Sequence, residues 1–276
     1  MPGTLYIVAT PIGNLEDITL RALRILKEVD LIAAEDTRHS RKLLTHFGIS
    51  KPLTSYFDHN KELKGDQILD RLREGKSVAL ITDAGTPCIS DPGYQLVRDA
   101  AADGISVVPI PGACAAVTAL SASGLPTDYF SFAGFLPNKQ GKRRERLQSL
   151  AGERAVLIFY ESPKRLLATL EDMLETLGDR DVVVARELTK MYEEFLRGRL
   201  SGLIEELSGR EVRGEVAILV SPAPESDSDD GPGMEELLQR YLASGEMSLK
   251  DAVKRVTQET GLHKSAVYAE ALRIRG

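Results

Sequence analysis

The chain has 276 residues, of which 42% are hydrophobic and 28% charged, and its formal net charge is −6. This composition is typical of a globular protein with a sizeable core, and no apolar run reaches the roughly 20 residues of a membrane helix. Four acids in residues 225–230 account for most of the charge, so the rest of the chain carries −2. Total charge therefore does not exclude a nucleic-acid partner that binds a local basic patch.

Several common functional signatures are absent from the sequence. Cys88 and Cys114 lack CxxC spacing, and the four histidines lack metal-ligand spacing, so we expect no metal site. No GxGxxG, P-loop or GxSxG motif occurs, which argues against those nucleotide sites and against covalent hydrolysis. The N-terminus enters a β-rich run without a signal-peptide pattern, and the few cysteines suit a reducing compartment. We therefore expect a cytoplasmic protein.

The first half of the chain alternates short apolar runs with helical patterns. Five such alternations predict a parallel sheet with helices on its faces. We assign residues 1–115 to this N-terminal α/β domain. The predicted strands are residues 4–9, 31–34, 53–57, 77–82 and 105–110.

Three of these strands end in loops rich in glycine and proline. The loops are residues 10–14, 83–93 and 111–116. The carboxyl ends of parallel strands share one edge of a sheet, and open α/β sheets bind ligands there. One such loop is as consistent with a structural turn as with a site, but three together favour a ligand cleft.

The second half continues with strands and helices in a less regular order. A β-rich run at residues 195–198 between two other strands indicates antiparallel pairing, so we predict a second α/β domain, residues 116–221, with a mixed sheet. Residues 222–233 read as a flexible acidic linker. Residues 234–276 predict two or three short amphipathic helices, with a helix-turn-helix corner at 261–265. The remaining predicted strands are residues 130–136, 155–160, 182–185 and 216–220, and the helices are 142–150, 164–177 and 201–208.

Charged side chains follow several of the predicted strands. Asp36 fits either a site residue or the N-cap of the next helix. Ser162 and Pro163 fit the first residues of a helix. One dense basic run, which fits a solvated helix face or a surface for phosphates, comprises Lys139, Lys142, Arg143, Arg144 and Arg146.

Six motifs, taken in order, resemble those of the ribosomal RNA small subunit methyltransferase I family, within the tetrapyrrole-methylase-like superfamily. The resemblance runs from about Thr4 to Val220 and continues more weakly through the C-terminal helices. Cys114 and Lys164 depart from residues common among relatives. The motifs are Thr10–Leu15, Ala34–Arg38, Asp83–Gly93, Pro111–Gly112, Gly134–Pro137 and Phe159–Pro163.

The resemblance implies a fold, a methyl donor and a substrate. S-adenosylmethionine (SAM) would lie in a cleft between the two α/β domains of a homodimer. The substrate would be the 2′-hydroxyl of cytidine-1402 in 16S rRNA of the small ribosomal subunit. The positions that match donor-contacting positions of the superfamily are Pro11, Ala84, Gly85, Thr86, Ile89, Cys114, Ala115, Tyr160 and Leu188.

The sequence does not identify the residue that takes the proton of the ribose hydroxyl. Asp36, Glu161 and Glu187 are candidates because each ends a predicted strand at the cleft. The predicted RNA contacts are Arg38, Lys139, Lys142, Arg143, Arg144 and Lys164.

Two alternatives remain. The chain could methylate a tetrapyrrole precursor on the same fold, or it could bind RNA or a metabolite without catalysis. The basic run and the helical tail favour RNA methylation.

Overall fold

A computed structural model describes residues 2–57, 61–224, 234–243, 247–260 and 264–275. The chain divides into two compact units, Met1–Ala223 and Pro224–Gly276. Within the described residues, no helix is long and apolar enough to cross a membrane.

The larger unit begins with a five-stranded parallel sheet in the order β3-β2-β4-β1-β5. Its strands are β1 (Thr4–Val8), β2 (Leu31–Ala34), β3 (Leu53–Ser55), β4 (Val78–Ile81) and β5 (Ser106–Ile110). The helices that connect them are α1 (Leu20–Glu28), α2 (Thr37–His46), α3 (Lys61–Arg73) and α4 (Tyr94–Ala102).

The inner strands β2 and β4 of this sheet are buried on both faces, which explains why they read as continuous apolar runs. In β4, Val78 and Leu80 join the core on one face, while Ala79 and Ile81 join the core on the other. This alternation is the two-residue period of a strand, and helices cover each side. The predicted parallel sheet is confirmed.

The chain then passes through α5 (Ala115–Ser123) into a second five-stranded sheet in the order β6-β7-β10-β8-β9. Only β6 and β7 are parallel, and β10 is antiparallel to both of its neighbours. The predicted mixed sheet is therefore confirmed. Its strands are β6 (Phe130–Phe135), β7 (Val156–Glu161), β8 (Asp181–Arg186), β9 (Glu194–Arg199) and β10 (Val216–Val220), and its helices are α6 (Gln140–Gln148), α7 (Leu166–Leu177) and α8 (Leu200–Leu207).

The two sheets meet through α5 and the loop after β1. Ala116, Ala119 and Leu120 of α5 pack on the inner face of the second sheet, and Ile12 joins the same cluster. The small side chains of α5 permit this close approach. The contact brings the carboxyl edge of the first sheet against the second sheet.

Predicted boundaries lie within a few residues of the observed ones, with one instructive difference. The helix expected to begin at Ser162 and Pro163 begins at Leu166, and Arg165 is its N-cap residue. Ser162 instead closes a turn, since its carbonyl accepts a hydrogen bond from Arg165 N at 3.0 Å. The turn carries Arg165 back towards the end of β7.

The described residues of the smaller unit form three helices, α9 (Met234–Ala243), α10 (Leu249–Thr260) and α11 (Lys264–Arg275). They share a small core of Leu237, Leu238, Val253, Val256, Val267 and Ala271. Residues 225–233 of the expected linker, and residues 261–263 of the expected helix-turn-helix corner, lie outside the described residues.

Candidate functional site

A cavity of about 450 Å³ lies between the carboxyl edge of the first sheet and the inner face of the second. It lies at the ends of β1 and β4, which are neighbours in the first sheet. The connections that leave these two strands run to opposite sides of the sheet. Open α/β sheets bind ligands at such a topological switch point. Its lining comprises Ile12, Glu35, Thr82–Thr86, Ile89–Asp91, Cys114, Ala115, Phe135, Tyr160–Pro163, Ala185, Leu188 and Gly214–Ala217.

The loop after β4 forms one wall of the cavity and is held in a defined conformation. Thr10 and Gly85 exchange backbone hydrogen bonds of 2.9 and 3.1 Å, which join this loop to the loop after β1. The Thr86 hydroxyl donates to the Ala113 carbonyl at 3.1 Å, which joins it to the loop after β5. The three loops predicted from glycine and proline are thus joined to one another.

Backbone strain is concentrated in the loops that border the cavity. Cys88 and Ser90, with φ of 71° and 64°, lie in the wall after β4, and Glu187 and Thr189, with φ of 52° and 65°, follow β8. Side chains other than glycine seldom adopt this left-handed region. Such strain persists where surrounding contacts impose it, and it clusters at functional sites.

Tyr160, in β7, forms the opposite wall. Its hydroxyl accepts a hydrogen bond from the Ala116 backbone N–H at 3.0 Å, at the start of α5. Burial raises the pKa of Tyr160 to about 12, so the phenol stays neutral at physiological pH and retains a proton to donate. Phe132 and Phe135 meet its ring edge-on at centroid distances of 4.9 and 5.7 Å, which fixes the ring position.

Carboxylates dominate the charge of the cavity. Glu35 accepts a hydrogen bond of 2.6 Å from the Thr82 hydroxyl, and Asp83 accepts one of 3.1 Å from the Asp36 N–H. Burial raises the pKa of Asp83, and it raises that of Asp91 to about 6. Among the described residues, no lysine, arginine or histidine lines the cavity. The site therefore suits a cationic ligand and disfavours phosphates.

The structure places eight of the nine predicted donor-contacting residues in the cavity lining. These are Ala84, Gly85, Thr86, Ile89, Cys114, Ala115, Tyr160 and Leu188. Pro11 is buried beside the lining rather than in it. Contact between these residues and the donor stays a prediction. The fold itself brings the eight residues together around one cavity.

The three predicted proton acceptors are all engaged by neighbouring donors. Asp36 caps α2 and pairs with Arg38 at 3.1 Å, and hydrogen bonds from Arg38 lower its pKa to about 2. Glu161, whose side chain is 1% exposed, pairs with Arg165 at 2.8 Å. Of the two, only Glu161 reaches the cavity lining.

Glu187 lies beside the cavity without lining it. Its Oε1 accepts hydrogen bonds from Lys190 Nζ at 2.8 Å and from Glu215 N at 3.1 Å. The Lys190 hydrogen bond lowers the Glu187 pKa. A Cβ atom on Gly214 would lie 2.2 Å from the same oxygen, so the carboxylate is closely packed. Glu187 therefore holds the loop after β8 against the start of β10.

The predicted RNA residues divide into two groups. Arg38, Lys139, Lys142 and Lys164 are exposed. Arg143 is buried, and its guanidinium contacts the Asp172 carboxylate at 2.6 Å. Arg143 thus joins α6 to α7, and we remove it from the predicted RNA surface, while the half-exposed Arg144 shares Asp172 at 2.7 Å.

Several lining residues have no role among the predictions from sequence. Asp91 is in the predicted loop and Glu35 is in a motif, so the sequence predicts that both lie near the cleft. It does not predict which groups surround their carboxylates. Gly214–Ala217 line the cavity because β10 inserts between β7 and β8, a consequence of tertiary pairing that no local pattern shows. In the described residues, no cluster of three or more histidine, cysteine, aspartate or glutamate side chains is arranged to hold a metal ion.

Comparison with solved structures supports the fold. The chain is similar to cobalt precorrin-4 methyltransferase CbiF (TM-score 0.59, 22% identity, 79% of this chain and 94% of that one). It is also similar to uroporphyrin-III C-methyltransferase from Thermus thermophilus complexed with S-adenosylhomocysteine (TM-score 0.54, 21% identity, 79% and 97%). At these identities the likeness extends to the fold alone.

Sequence comparisons extend the match to almost the whole chain. Residues 4–204 match the family model for tetrapyrrole (corrin/porphyrin) methylases, and residues 229–275 match that for the RsmI C-terminal HTH domain. Ribosomal RNA small subunit methyltransferase I of Halalkalibacterium halodurans is 52% identical over 96% of this chain and 93% of that protein. Its counterpart in Pseudomonas aeruginosa is 48% identical over 99% and 98%. The chain therefore belongs to the ribosomal RNA small subunit methyltransferase I family, within the tetrapyrrole methylases.

Proposed function

We propose that this protein transfers the methyl group of SAM to the 2′-hydroxyl of a cytidine in 16S rRNA, cytidine-1402 by family resemblance. The observation that carries the donor assignment is the cavity at the strand ends, which contains carboxylates and, among the described residues, no basic side chain. The names of the relatives at about 50% identity support ribosomal RNA as the substrate.

The lining residues fit the chemistry of SAM. When bound, SAM supplies a methyl group on a positively charged sulfur atom. Glu35 and Asp83 place negative charge around such a cation, whereas they would repel the phosphates of a nucleotide cofactor. Ile12, with Leu188, supplies an apolar surface for a flat ring system. The volume of about 450 Å³ lies within the range typical of small-molecule sites.

The protein contributes mainly by positioning. The joined loops, with Tyr160 on the opposite wall, would hold the donor so that the ribose oxygen attacks in line. Orientation of two reactants can supply about 7–11 kcal/mol of the barrier reduction.

Exposed lysines at the start of α6 and just after β7 supply the charge that RNA requires. Lys164 follows the lining residue Pro163, and Lys139 and Lys142 lie at the start of α6. Such side chains neutralise phosphates without reading sequence, so they fit positioning of the RNA. An rRNA substrate is consistent with a cytoplasmic protein, and we further propose that it acts as a homodimer.

The function is tested with purified protein, 30S subunits and SAM carrying an isotopically labelled methyl group. Digestion to nucleosides followed by mass spectrometry should give labelled 2′-O-methylcytidine from 16S rRNA alone. A parallel reaction with a porphyrinoid precursor tests the tetrapyrrole alternative. Label in the porphyrinoid and none in RNA would contradict the proposal, and donor binding with no transfer to either would favour a non-catalytic module.

A further inference from the structure

We propose that Asp91 is the base that accepts the proton of the ribose hydroxyl during methyl transfer. The assignment rests on the proposed function and adds a residue that the sequence motifs did not single out as an acid or base. It follows from the position of Asp91 in the cavity and from the groups around it.

Asp91 differs from the three carboxylates predicted from sequence in having no cationic partner. In the described part of the chain, no lysine or arginine nitrogen lies within 4.0 Å of its carboxylate, whereas Asp36, Glu161 and Glu187 each pair with one. A carboxylate bound to a cation is a weak base because the ionised form is stabilised. Asp91 keeps its lone pairs available, and it lines the cavity.

The backbone fixes where the Asp91 side chain lies. Ser90, just before it, has φ of 64°, and Gly93, two residues later, has φ of 145°. A Cβ atom on Gly93 would lie 2.5 Å from Cys88 Sγ and 2.9 Å from Leu80 Cδ2, so the loop folds tightly on itself. Pro92 restricts the remaining freedom. The base is therefore held on a rigid turn, as a catalytic group must be.

The charged and titratable groups around Asp91 come from several elements. Burial raises the pKa of Asp91 to about 6; the nearby Thr82 hydroxyl opposes this shift, and the charges of Glu35 and Asp83 add to it. The charge of Asp91 in turn contributes to the raised pKa of the Tyr160 phenol and of the Cys88 thiol. At pH 7–8 Asp91 is mostly ionised, yet it is a stronger base than an ordinary aspartate.

The step balances with Asp91 as the acceptor. The O2′–H bond breaks and the proton moves to a carboxylate oxygen of Asp91. An oxygen electron pair forms the bond to the methyl carbon, while the carbon–sulfur bond breaks and its electron pair stays on sulfur. The products are the 2′-O-methyl ribose, neutral S-adenosylhomocysteine and protonated Asp91, which returns its proton to water at neutral pH.

An alternative role for Asp91 is to bind the positively charged donor. The two roles are separated by measuring chemistry and affinity on one variant. Asp91→Asn keeps the shape and removes the basic oxygen, and Asp99→Asn makes the same change at a half-exposed site on α4. Single-turnover methylation of 30S subunits from pH 5 to 9, with calorimetry of SAM binding, gives the rate and the affinity separately.

We expect Asp91→Asn to lower the single-turnover rate by about 10²–10⁴-fold, the usual contribution of a general base, with SAM affinity within threefold of wild type. The wild-type and Asp99→Asn rates should fall towards acid pH as Asp91 is protonated, and the Asp91→Asn rate should stay flat. In donor-free protein, ¹³C NMR of the aspartate carboxyls should show one group titrating near pH 6 that the variant lacks.

Two results would overturn the assignment. A rate for Asp91→Asn within threefold of wild type would show that Asp91 takes no proton. A fall in rate matched by an equal fall in SAM affinity would show that it binds the donor instead. If wild-type protein transfers no methyl group to 30S subunits, the proposed function fails before the role of Asp91 is reached, so the two failures are distinguishable.

Discussion

Replacing Asp172 by asparagine should destabilise the packing of α6 and α7 on the second sheet while leaving donor binding intact. Asp172 lies in α7, 1% exposed, and its carboxylate accepts hydrogen bonds from Arg143 Nε at 2.6 Å, Arg144 Nε at 2.7 Å and Gln140 Nε2 at 3.1 Å. The Arg143 side chain is only 6% exposed. The variant therefore leaves a buried guanidinium without a counter-charge.

The magnitude follows from the burial of each partner. Breaking a buried ion pair on one side costs about 3–5 kcal/mol. Arg144 is 37% exposed, so its share of the loss is less than about 1 kcal/mol. For a chain of this size, about 2–4 °C is lost per kcal/mol, so the melting temperature should fall by about 6–20 °C.

The assay is thermal unfolding followed by circular dichroism, with Glu175→Gln as the matched control. Glu175 is one turn along α7 and pairs with Arg144, but its side chain is 59% exposed, so its loss should cost less than about 1 kcal/mol. Calorimetric SAM affinity, measured well below the melting transition, should be unchanged in both variants. Equal, small losses of stability in the two variants would refute the reasoning that burial makes the Asp172 pair strong.

The pH dependence of the same pair has a defined sign. Burial raises the Asp172 pKa, but the hydrogen bonds from Arg144, Gln140 and Arg143 together outweigh it and lower the pKa below 3.8. The pair therefore stabilises the fold above the unfolded pKa of 3.8 and loses that contribution as pH falls through the lowered folded value. The difference in melting temperature between wild type and Asp172→Asn should shrink below about pH 3.8.

Two further variants test the cavity and the RNA surface. Gly85→Val places a branched side chain at φ +91°, with its Cβ atom 3.4 Å from Ile12 Cγ2. Calorimetry should therefore detect no SAM binding to a protein that remains folded. Normal SAM affinity in this variant would place the donor elsewhere. Lys139→Ala with Lys142→Ala should weaken RNA binding equally for different sequences and reduce the salt-dependence slope by about 0.7 per lysine, whereas an unchanged slope would exclude α6 from the interface.

The binding loops were predictable because their chemistry is local. Glycine and proline after an apolar run force a turn wherever the strand ends, and parallel strands end at one edge, so the sequence alone places Gly85 and Cys114 together. The lining contributed by Gly214 and Glu215 was not predictable. It depends on β10 entering the sheet between β7 and β8, a pairing between residues far apart in the chain.

The proton acceptor was harder to predict, although the sequence shows why the three chosen carboxylates are poor candidates. The three chosen carboxylates each have a cation two to four residues later: Arg38 follows Asp36, Arg165 follows Glu161 and Lys190 follows Glu187. These are the partners observed in the structure. After Asp91 the first cationic residue in the sequence is Arg98, and only the fold reveals that Asp91 is half-buried beside other acids.

We propose that methyl transfer to 16S rRNA depends on a donor held in the cavity at the strand ends. The most direct measurement is a map of 2′-O-methylation across 16S rRNA in cells that carry the wild-type gene, no gene or only the Gly85→Val variant. One cytidine should lose its 2′-O-methyl group in the second and third strains and keep it in the first. An identical map in all three would contradict this proposal.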